Sequence, residues 1–380
     1  MKVYNDIYFF IVFFIGEKMK NEKPLAITYY TKQSVICPVC KNPFPREELL
    51  SGGGRLIAGG LTDELRRTYE PSAKYGTIYP LIYSVGVCCH CNAALLWNDM
   101  TSLNDPKTAD SLYCSSGERM EIVKNIFPHY DFKRDRTLLE GCAGYYLALL
   151  CYEKMPPAYS PTIKKAIICL RLAWLTDDLN KLYPDKNYDF IRDSFYKKSL
   201  FLYQEALNLE MEHKENITNV SSFGPDLDKN YGYDGVIYLS CLLEYKYGQT
   251  SDISARLKKL ESCKHSIARI FGLGKSSKAK PGPLLEHSRA LYDNLSTVLK
   301  DAQSINFEDE SFSEPVSDET TFEQNEVLEE KQDSSSLEKL LSTDDFDSLG
   351  SLGSLDSLDF SDISNLSVDD LPDFSMDDFK

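Results

Sequence analysis

Apolar residues recur along this chain on two different periods. Between residues 24 and 100 they read as strand and turn: LAITYY and TIYPLIYSVGV are rich in β-branched and aromatic residues, and SGGGRLIAGG between them has the glycine content of a loop. Beyond Asn104 the period becomes helical. LLEGCAGYYLALLCYEKM, TIKKAIICLRLAWLTDDLNKLY, FIRDSFYKKSLFLYQEALNLEMEH, GVIYLSCLLEYKYG, ISARLKKLESCKHSIARIFGLG and LLEHSRALYDNLSTVLKDA follow one another with little strand signal.

The spacing within these segments predicts how each is covered. In the second, Ile163, Ile167, Leu170 and Trp174 form one apolar row and Ile168, Leu172, Leu175, Leu179 and Leu182 another, so this helix is expected to be buried on two sides. Phe195, Ser199, Leu202, Ala206 and Leu209 form one face of the third, and Ile253, Leu257, Leu260, Ile267 and Phe271 one face of the fifth. Pro161 and Gly248 punctuate the second and fourth. A two-sided helix cannot be covered by one hairpin, and the segments YKKSLFLYQEAL and IYLSCLLEYKYG look like tetratricopeptide helices. The expectation is therefore a serial stack of helix pairs, although their spacing departs from a regular period of about 34 residues.

From Ser304 onward acidic residues, serine and isolated Leu or Phe dominate, and STDDFDSLGSLGSLDSLDFSDISNL is of low complexity. The expected organisation is an N-terminal extension (1–23), a zinc-knuckle β domain (24–104), a helical-repeat domain (105–303) and a disordered acidic tail (304–380). The fold class is α+β, mainly α: a small zinc-ribbon-like β domain followed by an α-helical, tetratricopeptide-like repeat.

Charge divides along the same line. The formal net charge is -16, yet Asp301–Lys380 holds 24 acidic and 3 basic residues, leaving residues 1–300 at +5. A body this mildly basic lacks the dense cationic face that nucleic acid requires, and the tail would compete with phosphate, so nucleic acid is not the expected partner. The run IYFFIVFFI at 7–15 has nine residues, against about 20 for a membrane-spanning helix, and lacks the flanks of a signal peptide. Translation starting at Met19 is the simplest reading, with a weak membrane anchor and a signal peptide as the alternatives. A cytoplasmic location follows, with no membrane partner.

Eleven cysteines are present, and two close-spaced pairs stand out, in ICPVCKNPF (36–44) and VCCHCNAAL (87–95). Cys37, Cys40, Cys88 and Cys91 make two CxxC knuckles of the kind that present two thiolates each to a tetrahedral zinc ion. Four thiolates leave no open position on the metal, so the expected cofactor is a structural Zn2+. Buried thiols or a redox CxxC are the alternatives, the latter without the βαβ context it needs. A knuckle also needs a left-handed residue just past its second cysteine, a place that suits Asn92 and that Asn42 sits near. Cys89 and His90 lie inside the second knuckle and are read as bystanders. Cys114, Cys142, Cys151, Cys169, Cys241 and Cys263 are scattered.

ICPVCKNPF, IYPLIYSVGVCCHCNAAL, YYLALLCYEKM and CLRLAWL together resemble the bacterial domain of unknown function family 2225 over roughly residues 30–300. In that family CPxC and VCPxCGYA knuckles precede tetratricopeptide-like helices. Cys89 stands where the family usually has Pro, and Asn92 where it has Gly. The resemblance implies a zinc-bearing helical-repeat protein and raises the expectation for the fold more than for a role.

Other chemistry is thinly represented. SGGGRLIAGGL lacks the GK[ST] of a phosphate loop, and His90, His129, His213, His265 and His287 show no HExxH pattern. His129 with Asp131 and Asp135 reads as a solvated connector. No catalytic residues are assigned. The expected function is a non-enzymatic interaction scaffold that binds a protein or peptide on its helical surface, with an acidic tail able to meet a basic surface in cis or trans. The alternative is an enzyme or enzyme accessory using the zinc domain for substrate or nucleic-acid recognition.

Overall fold

A computed structural model describes residues 28–50, 52–272 and 280–310. The apolar run at 7–15, the Met19 start and the tail beyond 310 lie outside them. Three two-stranded antiparallel sheets open the fold: β1 (Thr28–Ile36) with β2 (Pro43–Leu49), β3 (Ile57–Leu61) with β4 (Arg67–Glu70), and β5 (Val85–Val87) with β6 (Ala94–Leu96). A lone hairpin is marginally stable in water, so each of these depends on what it packs against.

Two strand expectations change. In TIYPLIYSVGV only Val85–Val87 pairs; Pro80–Tyr83 forms a 3-10 turn instead, because proline fixes φ and brings no N–H to a ladder. The glycine-rich stretch read as a loop contains β3, whose pairing with β4 is interrupted by a register shift between Ala58 and Leu61. Gly59 permits this, since a β-carbon there would lie 2.6 Å from Thr68 Oγ1.

Nine helices follow among the described residues. Three short ones, α1 (Trp97–Ser102), α2 (Pro106–Cys114) and α3 (Ser116–Ile126), were not legible in the periodicity. The six expected segments become α4 (Leu138–Tyr152), α5 (Pro161–Leu182), α6 (Tyr188–Met211), α7 (Gly232–Tyr247), α8 (Ile253–Phe271) and α9 (Gly282–Glu310). Residues 304–310, expected in the tail, thus continue α9. Thr137 and Glu140 form a reciprocal capping box at the start of α4, and Pro161 occupies the first turn of α5. Gly248 ends α7 with extended rather than left-handed backbone; its glycine makes room for Arg256, whose Nη1 would lie 1.9 Å from a β-carbon.

Both apolar rows of α5 are buried except at Leu182, and α5 is covered by α4 on one side and α6 on the other. Ile253, placed on the inner face of α8, is instead 72 % exposed at that helix's first residue. Each helix from α4 to α9 packs on the next in the chain, so a small β portion precedes a mainly helical body stacked in series. One hydrophobic cluster runs from Cys37 to Leu295 and crosses the 104/105 division. No helix among the described residues is long and apolar enough to cross a membrane.

The seam between the two portions is built on glycine. Gly141 of α4 meets the Pro80–Tyr83 turn so closely that a β-carbon would stand 2.3 Å from Ile82 Cγ2. In an exposed helix Gly→Ala stabilises by up to about 1 kcal/mol. Here overpacking reverses the sign: Gly141→Ala is expected to destabilise by about 1–3 kcal/mol, with Ile82→Ala restoring part of the loss in the double variant. Urea titration of the two variants checks it, and a stabilised Gly141→Ala would show that the seam yields.

Candidate metal centre

Both knuckles are hairpin turns with one hydrogen-bond pattern. Cys37 N–H donates to Asn42 O (3.0 Å) and Lys41 N–H to Cys37 O (3.0 Å); Cys88 N–H donates to Ala93 O (2.9 Å) and Asn92 N–H to Cys88 O (2.8 Å). The residue after each second cysteine is left-handed, Lys41 at φ 61° and Asn92 at φ 51°. Asn92 was the expected choice. In the first knuckle the expectation fell on Asn42, one place too far along; Lys41 carries the turn and its Nζ donates to Pro38 O at 2.6 Å. Asn42 serves differently, its Nδ2 donating to Cys40 Sγ at 3.5 Å.

These turns face one another and bring the four sulfurs within 4.8 Å. Cys37 Sγ lies 3.7 Å from Cys91 Sγ, and Cys40 Sγ 3.6 Å from Cys88 Sγ. A disulfide would need about 2.05 Å, whereas four sulfurs about 2.3 Å from a central zinc stand about 3.8 Å apart. Cys37, Cys88 and Cys91 are buried and Cys40 half-buried. Sulfur–sulfur hydrogen bonds to Cys88 and Cys91 pull the Cys37 thiol down to about 2, while the bond to Cys37 pushes Cys88 up to about 12 and pushes Cys91 above the ordinary thiol range. At this spacing the set fits a tetrahedral soft-ligand metal, whose charge would favour the thiolate form of its ligands.

Cys89 and His90 are not in the cluster. Cys89 packs against the core, and His90 Nε2 donates across the gap to Pro43 O at 3.2 Å, bracing the second knuckle on the first. Of the scattered cysteines, Cys142, Cys151, Cys169 and Cys241 are buried in the helices, Cys263 is half-buried and Cys114 is exposed; burial pushes Cys169 up to about 12 and raises Cys142 and Cys151. The His129–Asp135 connector is largely exposed, with Asp131 paired to Arg134 at 3.3 Å.

Several residues that position the knuckles have no sequence signature. Arg136, just before α4, pairs with Glu47 of β2 at 2.9 Å while its Nη1 donates to Ile82 O and Val85 O, and both side chains are about nineteen-twentieths buried. One guanidinium thus ties the first hairpin to the second. Ser116 Oγ donates to Cys91 O at 2.7 Å from the start of α3. Trp97 stacks on Phe44 (centroids 6.3 Å apart, 13° between planes) and lies under Arg46; Gly86 leaves room for its ring, which a β-carbon would approach to 2.9 Å.

Fold and site together define a protein in which two β-hairpins, joined at a four-cysteine cluster, sit on a serially packed helical body. The chain belongs to the family described as "Uncharacterized protein conserved in bacteria (DUF2225)", which matches residues 30–295. It is also 40% identical over 275 residues to an uncharacterized protein of Borreliella burgdorferi, covering 72% of this chain and 98% of that relative. No solved structure matches it.

Proposed function

We propose that Cys37, Cys40, Cys88 and Cys91 hold one structural zinc ion and that the chain acts as a non-enzymatic scaffold, binding a protein or peptide on its helical surface. The convergence of four thiols within 4.8 Å carries the metal part of this reading. Zinc would supply folding free energy here rather than reactivity, because four thiolates occupy every tetrahedral position and leave none for substrate or water. The partner part draws on serial helix packing, which offers an extended surface. Leu182 and Phe190, flanking the α5–α6 connection, are 54 % and 57 % exposed and suit an apolar contact.

Metal analysis of the purified chain by inductively coupled plasma mass spectrometry is expected to find about one zinc per chain, unchanged in Cys89→Ser. Affinity purification from the native bacterium should then recover a partner that the Leu182→Asp, Phe190→Asp variant loses. Loss of zinc from Cys89→Ser would refute the ligand assignment. A partner list untouched by the apolar substitutions would move the docking surface elsewhere.

A further inference from the structure

A cavity of about 580 Å³ beneath the β3–β4 hairpin has charges paired with one another or with neighbours: Arg66 with Asp178, Arg67 with Asp228, and Glu64 with Lys246. A smaller groove of about 330 Å³ between α8 and α9 differs. Its walls carry Lys258, Lys264 and Lys300 against one carboxylate, Glu261, with Leu257 and Leu299 between them. None of the three lysines forms an ion pair among the described residues, although Lys264 lies over the Tyr292 ring at 5.3 Å. Ile253, one turn before Leu257 on α8, extends the apolar strip into solvent. The groove is therefore a cationic rim around an apolar floor.

One segment of this same chain has the complementary composition. In DDFDSL, LDSLDF, VDDLPDF and MDDF, between Asp344 and Phe379, carboxylates stand beside Leu or Phe. That segment begins 34 residues beyond Glu310, the end of α9 itself, so it is tethered to the helix that forms one wall. A chain of that length reaches at most about 110 Å, while the way back from Glu310 to Lys300 along α9 is about 15 Å. Tethering also raises the effective concentration of each motif at the groove, so individually weak contacts suffice.

We propose that the acidic Leu/Phe motifs of residues 344–379 dock in cis in the α8–α9 groove, their carboxylates on Lys258, Lys264 and Lys300 and their Phe and Leu side chains on Leu257, Leu299 and Ile253. The contact occludes this end of the helical stack to outside partners. It does not depend on the scaffold reading, because it forms in the isolated chain.

Zero-length carbodiimide cross-linking of the full-length protein, read by mass spectrometry, tests it. Lys258, Lys264 and Lys300 are expected to join carboxylates between Asp344 and Asp378 in preference to other exposed lysines, with a yield unchanged on tenfold dilution. Replacing Phe346, Phe360, Phe374 and Phe379 with Ser keeps every charge and is expected to lower that yield about tenfold, as loss of about 1.4 kcal/mol would. Equal labelling of all exposed lysines would overturn the proposal. So would indifference to the four phenylalanines, which leaves only nonspecific charge attraction, or heavy–light cross-links in a mixture of isotopically labelled and unlabelled protein, which places the tail on a second copy.

Discussion

Cys91→Ser is expected to purify with under about a tenth of a zinc ion per chain and with both knuckle hairpins open to hydrogen exchange. Serine keeps the size of the side chain but, with an alkoxide out of reach at neutral pH, offers zinc no thiolate. A structural zinc site contributes about 10–16 kcal/mol in isolated zinc fingers, as much as the whole stability of an ordinary domain, about 5–15 kcal/mol. The protein contacts that join the first hairpin to the second are individually weaker: His90 donates to Pro43 O, Trp97 stacks on Phe44 beneath Arg46, and Arg136 pairs with Glu47. Exposure should therefore spread from Ile36–Pro43 and Val87–Ala94 into α3, through Ser116, and into α4, where Cys151 Sγ accepts from Ala94 N–H at 3.5 Å. The α5–α6 pair, which carries none of the four cysteines and is buried by its own rows, should keep its protection. Cys37→Ser is expected to behave alike. Full retention of zinc and hairpin protection in either variant would refute the four-thiolate centre.

The second large effect lies at the seam. Lys164 of α5 and Asp99 of α1 are both more than nine-tenths buried, with Nζ 2.9 and 2.7 Å from the two carboxylate oxygens, and the Tyr152 hydroxyl donates to the same carboxylate. Burial pushes the Tyr152 hydroxyl well above its ordinary range, which keeps it a donor. Lys164→Met removes the cation and strands a carboxylate on one neutral donor. Breaking one side of a buried pair costs about 3–5 kcal/mol, which for a chain of this size lowers the melting temperature by about 10 °C. Adding Asp99→Asn to Lys164→Met removes the stranded charge and should recover much of the loss, a coupling that a double-mutant cycle measures. A single-variant loss below about 1 kcal/mol would mean that water reaches the carboxylate.

Local repetition made part of this protein readable. A CxxC knuckle is encoded within six residues, so Cys37, Cys40, Cys88 and Cys91 could be paired by spacing alone and are the four that converge. Helices α4 to α9 were equally legible, since an apolar row at i, i+3, i+4 reflects geometry within a single element. The same locality explains where reading failed. Strand content in TIYPLIYSVGV was overestimated because β-branched and aromatic composition cannot show whether a partner strand stands alongside, and α1 to α3, of 6, 9 and 11 residues, are too short for an apolar row to repeat often enough to stand out.

What joins the parts needed the tertiary structure. Glu47 and Arg136, Asp99 and Lys164, and Gly141 and Ile82 are each separated by more than fifty residues, and no member of a pair has a neighbour in sequence that marks it. A buried charge is tolerable only where its counter-charge arrives from elsewhere in the chain, and a glycine is required only where another backbone comes close. The sequence by itself therefore determined the cysteine cluster and the helical stack, because both are written in short-range spacing. Only the tertiary structure decided that the two share one core and that a cationic groove lies beside the origin of the acidic tail, because both depend on which distant surfaces meet.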